Sequence, residues 1–405
     1  MASEPKRVRV GPRESSIVDL CDATFNVVCG FLGVEHVLAL RVVSKTVLGR
    51  LNSPTTRVTT GSVFLLGYKD TDKLRRVFPW LLSASCFQWT SSLSHLGWLS
   101  VLRFHGSDRV RNVSALRGIH TLTLSLVNGL VDVSPLGHVR NLTLSDCPEI
   151  TDVSALGRVK TLVIAHCRNV TDVSALGEVE TLSILSCRGV TDVSALGKNK
   201  TLTIKHCLGV ADVSALGGVT TLDISYSKEI TNVSMLGRVK KLFLSGCTGV
   251  TDVSALGGVE ELDISRCTGV TDVSMLGRVK KLFLSGCTGV TDVSALGGVE
   301  ELDISRCTGV IDVSALGRVK KLFLIGCTGV TDVSALGGVE ELDISRCTGV
   351  IDVSALGRVK KLFLIGCTGV TDVSALGGVE ELDLRGCPNI VTGMFALEGV
   401  KNLYT

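Results

Sequence analysis

Net charge, histidine and long apolar runs are all scarce in this 405-residue chain. The formal net charge is +3, from 42 Lys and Arg against 39 Asp and Glu. Such a balance implies no general attraction to nucleic acid or to an anionic membrane. No apolar run approaches the ~20 residues of a membrane-spanning helix. The most apolar early stretch, Phe25 to Val34, is short and follows Asp19 and Asp22, which is wrong for a secretory leader. The expected location is therefore cytoplasmic or nuclear, with PKRVRV at 5–10 read as a solvated basic terminus. Of the seven histidines, His105, His120, His138, His166 and His206 fall at variable positions. Aspartates are spread along the chain rather than paired, and glycine pairs such as Gly257-Gly258 suit bends, not a phosphate cradle. No catalytic residue, metal site or cofactor is expected, and the chain reads as a non-enzyme.

Repetition is what the chain has in abundance. A 20-residue period runs from about Val101 to Ile390, with Leu142, Leu202, Leu242, Leu302 and Leu382 in one column. The template is V-x-x-L-x-L/I-x-x-C-x-x-V-x-D-V-S-x-L-G-x. Twelve of the fifteen cysteines stand in one column, from Cys147 to Cys387. One thiol per repeat does not converge on a point as metal ligands must, and free cysteine packs as a small apolar residue. A buried ladder of reduced thiols is expected, which suits a reducing compartment. The template resembles that of leucine-rich repeats, and the resemblance implies that the side chains of this column turn inward and bond the backbone of the bend. Sequons at Asn112, Asn141, Asn169 and Asn232 read as by-products of the repeat.

The period and the L-x-x-L-x-L-x-x-N/C-x-L spacing resemble the leucine-rich-repeat family over about 290 residues. That resemblance implies an α/β-type repeat solenoid: an arc with a parallel inner sheet and a short turn or 3₁₀ convex side. Within one unit, Leu242 and Leu244 alternate with polar neighbours, as one inward strand face requires. Val250, Val253 and Leu256 recur at spacing three, which suits a 3₁₀ segment. Ser254 is expected to cap that segment, Pro135 to take its first position in another unit, and Asp252 to bond nearby backbone. Gly249 and Gly257 are expected at bends. A lone unit cannot bury enough surface to fold, so stability must come from stacking.

The sequence divides into a basic terminus (1–16), a non-repetitive segment (17–51), a connecting region and N-terminal cap (52–100), fifteen repeats (101–390) and a C-terminal cap (391–405). A degenerate unit is expected around Leu82 to Leu96. Segment 17–51 has apolar residues at helical spacing, which suggests a small helical module. Leu20 opens it, Phe31-Leu32 follow about a dozen residues on, and Val37, Leu38 and Leu40 precede Val42-Val43-Ser44-Lys45. These residues resemble an F-box, with Cys21 where that family has Pro and Val47 where it has Trp. The resemblance implies docking of Leu20, Phe31, Leu32, Leu38 and Val43 on a Skp-type adaptor, and a substrate-receptor role in an SCF-type ubiquitin ligase. A helical cap on a binding scaffold with no ubiquitin role is the alternative reading of the same residues.

The later repeats carry a second period of 40 residues. Lys240-Lys241, Glu260-Glu261, Lys280-Lys281 and Glu300-Glu301 alternate onward to Glu380-Glu381, and 301–340 is identical to 341–380. In a parallel stack this alternation places each Lys pair between Glu pairs. The inner face then has two chemistries. Residues 121–226 are individualised, with His166, Lys205, His206 and Tyr226; residues 241–385 form a grid of Phe243, Asp263, Arg266 and Phe283 and their copies. These eight are the candidate contacts for a protein partner on the concave face.

Overall fold

Within each of the chain's two units, successive 20-residue repeats close into coils whose strands hydrogen-bond one another. The computed structural model describes residues 63–66, 83–87, Leu93 and 96–405. The helical module at 17–51, with Leu20, Phe31, Leu32, Leu38 and Val43, lies outside the described residues. The chain divides into two units, one ending at Cys147 and one spanning Pro148–Thr405.

The first unit holds β1 (Val63–Leu66), β2 (Ser83–Phe87), β3 (Val101–Ser107), β4 (Thr121–Val127) and β5 (Asn141–Ser145). All pair in parallel, and from β3 onward the register is one repeat, Leu102 opposite Leu122 and Leu122 opposite Leu142. The second unit begins with β6 (Thr161–Ala165), β7 (Thr181–Leu185) and β8 (Thr201–Lys205), each of five residues. Nine three-residue strands follow, β9 (Thr221–Asp223) to β17 (Glu381–Asp383), at 20-residue intervals. A last strand, β18 (Asn402–Tyr404), pairs with β17 after a one-residue slip, Leu382 opposite Leu403.

The coil 241–260 shows why the period is 20. Leu242, Leu244, Cys247, Val250, Val253, Leu256 and Val259 are all buried to within 1% of full burial. The first step is two residues, as a strand requires, and every later step is three, as turns and 3₁₀ geometry require. The 3₁₀ segment is Ser254–Gly258. Val253, not Ser254, holds the N-cap position and makes no side-chain cap bond; Ser254 is the first residue of the segment. The carboxylate that serves the turn is Asp252, whose Oδ1 accepts the Ser254 N–H at 2.9 Å. Asn112 and Asn232 accept the same bond at 2.8 and 3.0 Å. Pro135 correspondingly follows Ser134 inside its segment rather than opening it.

Gly249 and Gly257 do not turn the chain through a left-handed conformation. Each is a point of close approach between coils. A Cβ on Gly257 would stand 2.4 Å from the Met275 carbonyl oxygen, and one on Gly249 would stand 2.6 Å from that of Lys228.

The cysteines form the expected buried column of free thiols, with Cys387 half-buried. Their bonds differ from expectation, since from Cys187 onward each reaches back to the preceding coil rather than into its own bend alone. Cys247 Sγ–H donates to the Ile224 carbonyl at 3.2 Å and Cys287 to that of Ile264 at 3.0 Å. The contact is longer where strands have five residues: 3.5 Å for Cys187 and 3.6 Å for Cys207. From β9 onward the strands have three residues; Asp holds the third position on alternate coils, where Asp223 Oδ1 accepts the Ser225 N–H. Burial pushes the Cys287 thiol up to about 12, so it stays protonated.

Candidate partner-binding face

Counting from the first residue of each strand, columns one, three and five face outward from the sheet and columns two and four face the core. Column six is different. In coil after coil its residue has a left-handed φ: His166 (55°), Ser186 (55°), His206 (56°), Tyr226 (64°), Arg266, Arg306 and Arg346 (61–62°), with Gly246, Gly286, Gly326 and Gly366 between them at 70–75°. The αL turn lets the N–H of this residue make one more inter-coil bond before the chain dives inward. Tyr226 N–H donates to the Ser245 carbonyl and Arg266 N–H to that of Ser285, both at 2.8 Å. Left-handed backbone costs roughly 1 kcal/mol or more for a residue with a Cβ.

The structure collects four of the eight candidate residues into this column: His166, His206, Tyr226 and Arg266. All four are exposed. His206 and Tyr226 stack, with ring centroids 5.1 Å apart and planes 11° from parallel. The Tyr226 ring continues over Gly246, where a Cβ would lie 2.8 Å from its Cδ1. Leu208, two residues past His206, is 51% exposed.

The other four candidates belong to the strand face. Lys205 Nζ is 2.6 Å from Asp223 Oδ2 on the next coil. Asp223 was not among the candidates, and the register of neighbouring coils is what reveals it. Phe243, Asp263 and Phe283 share column three, Phe243 opposite Asp263 and Asp263 opposite Phe283. All three are half-buried. Asp263 Oδ1 accepts the Ser265 N–H at 2.8 Å. In a later copy, burial pushes the Asp343 carboxyl above its ordinary value, against the hydrogen bonds from Ser345.

Column one is internally compensated. Lys241 pairs with Glu261 at 2.7 Å, Lys281 with Glu301 at 2.8 Å, and Lys321 with Glu341 at 3.3 Å. The Asp column of the 3₁₀ turns lies elsewhere on each coil; its carboxylates are spread one per coil, and no group of three or more potential metal ligands occurs among the described residues.

A parallel ladder of 20-residue coils, each with a short strand and a 3₁₀ turn around an L-x-L-x-x-C core, defines a leucine-rich-repeat solenoid. A leucine-rich-repeat protein from Leptospira interrogans is similar in structure at 16% identity, with a TM-score of 0.53 over 82% of this chain and 96% of that one. The functional domain of InlJ from Listeria monocytogenes, which includes a cysteine ladder, matches at 20% identity and a TM-score of 0.47, over 73% and 70% of the two chains. No protein-family model and no curated protein matches the chain.

Proposed function

We propose that the chain is a protein-interaction solenoid that holds a protein partner on the sheet side of the Pro148–Thr405 unit, and that it performs no chemistry of its own. His166, Lys205, His206 and Tyr226 are the individualised contacts, and Phe243, Asp263, Arg266 and Phe283 continue the surface. The observation that carries this reading is the exposed His206–Tyr226 stack. Two aromatic side chains stand outward at backbone positions where glycine would be less strained. Exposed aromatics of this kind are the usual anchors of protein interfaces. The test is recovery of binding proteins on the immobilised full chain, quantified against a His206→Ala/Tyr226→Ala variant. A set of proteins retained by the parent chain and lost from the variant supports the reading; equal recovery by both overturns it.

The residues Leu20, Phe31-Leu32, Leu38 and Val43 support a more specific proposal, that the solenoid is the substrate receptor of an SCF-type ubiquitin ligase acting in the cytoplasm or nucleus. Their F-box resemblance is its support. Full-length protein should then co-purify with a Skp-type adaptor, and Leu32→Asp should abolish this. No adaptor binding by the full chain would leave a leucine-rich-repeat scaffold with no ubiquitin role.

A further inference from the structure

From the sixth-column arginines, we infer that the grid half of the face, 261–366, is a docking strip for an extended acidic protein segment, with carboxylates spaced to meet Arg266, Arg306 and Arg346. The three stand in one column, two coils apart, at φ 61–62°. The intervening coils place glycine there, so the position tolerates glycine, yet alternate coils carry a long cation at a strained backbone.

The arginine stems are already laid down along the stack. A Cβ on Gly286 would be 3.6 Å from Arg266 Cγ; the corresponding distances are 3.8 Å for Gly326 and Arg306, and 3.5 Å for Gly366 and Arg346. Each stem therefore rests over the glycine of the following coil, which restricts its rotamers before any ligand arrives. The three arginines are exposed and make no ion pair among the described residues, whereas the neighbouring column-one lysines pair with glutamates at 2.7–3.5 Å. Asp263, Asp303 and Asp343 on the same coils form no ion pair with them. Each instead accepts the N–H of the serine two residues on, at 2.8–2.9 Å. Arg266, Arg306 and Arg346 are thus exposed cations without an ion-pair partner among the described residues, and the aspartates beside them are held by backbone rather than by these arginines.

Spacing selects the partner. Coils about 4.8 Å apart place successive arginines about 10 Å apart. An extended chain rises about 3.3 Å per residue, so an acidic residue at every third position matches the row. Guanidinium takes a carboxylate in a bidentate fork, which gives such a row directional specificity as well as charge.

This proposal rests on the reading above in one respect, that the partner is a protein. Its test uses the full chain and a labelled peptide with Glu at every third position, read by fluorescence polarisation at low salt. The comparison peptide has the same composition with its glutamates contiguous. The spaced peptide should bind at least about tenfold more tightly, and Arg266→Gly/Arg306→Gly/Arg346→Gly should weaken it by about tenfold or more. Added salt should weaken binding to the parent chain. Thermal melting should show the triple variant folded, since glycine already occupies this column in the alternate coils. Equal affinity for the two peptides, no loss in the triple variant, or tighter binding of heparin or single-stranded RNA than of the spaced peptide would each overturn the inference. If protein recovery still depends on His206 and Tyr226 while the peptide fails, the arginine proposal falls alone. If that dependence is absent while the peptide result holds, only the first reading falls.

Discussion

Lys320 and Lys321 are adjacent in sequence and reach in opposite directions along the stack. Lys320 Nζ lies 3.0 Å from Glu300 on the preceding coil, and Lys321 Nζ lies 3.3 Å from Glu341 on the following one. The next Lys pair repeats this, Lys360 to Glu340 at 3.0 Å and Lys361 to Glu381 at 3.5 Å. One doublet thereby ties three coils together. The doublet is needed because the two columns work in different directions, and the 40-residue period keeps them in phase.

Deleting 301–340 should preserve this pattern, since every remaining doublet keeps oppositely charged neighbours. Deleting 321–340 removes less core but sets Glu301 beside Glu341 and Lys320 beside Lys360. These side chains are partly exposed, so the penalty is modest, roughly 1–2 kcal/mol at low salt, and shrinks as salt is added. Thermal melts of both deletions at low and high salt measure it. Identical salt dependence would mean that the alternation contributes nothing to stability.

Acid should loosen the 3₁₀ turns. The amide and hydroxyl of Ser334 hold the Asp332 carboxyl below its ordinary range, and other members of this column, such as Asp252 and Asp292, behave alike. A depressed native pKa contributes stability that is full above the unfolded value of about 3.9. That contribution is lost as pH falls through the lower native value. Melting temperature should therefore drop below about pH 4. Asp332→Asn should keep the bond, as Asn112 and Asn232 do, and should reduce the acid dependence. An Asn variant with an undiminished acid slope would show that this carboxylate is not a source of it.

The thiol column should be inert. Burial pushes Cys187, Cys307 and Cys367 up to about 12, so alkylating reagents at neutral pH should label these only after unfolding. Cys307→Ala should cost about 1–2 kcal/mol, from lost contacts and from the Leu284 carbonyl losing its thiol donor at 3.3 Å. Alkylation followed by mass mapping reads the first expectation and chemical denaturation the second. Disulfides between successive coils would contradict both.

Two glycine columns should respond with different magnitude. A Cβ on Gly317 would stand 2.3 Å from the Ala335 carbonyl oxygen, so Gly317→Ala should force coils apart and cost about 1–3 kcal/mol. Arg306→Gly relieves a φ of 61° and frees the unfolded chain, two effects that oppose each other and leave a net change within about 1 kcal/mol of zero. Denaturation midpoints of the two variants test the contrast.

The sequence by itself determined the period, the inward leucine, valine and cysteine columns, the parallel register and the free-thiol ladder. Each follows from spacing: a side chain that recurs every 20 residues must recur on the same side of every coil. It also separated the individualised residues from the grid, because identity and deviation are visible in letters. Only the tertiary structure decided where the bonds go. That Cys247 reaches the previous coil, that Gly257 faces the Met275 carbonyl, and that Lys205 finds Asp223 all depend on distances between coils. The common left-handed backbone of His206, Tyr226 and Arg266 was hidden for a further reason. Gly246 and Gly286 signal such a φ, but His, Tyr and Arg do not, and these residues hold it because the stacked coils supply the bonds that fix their backbone.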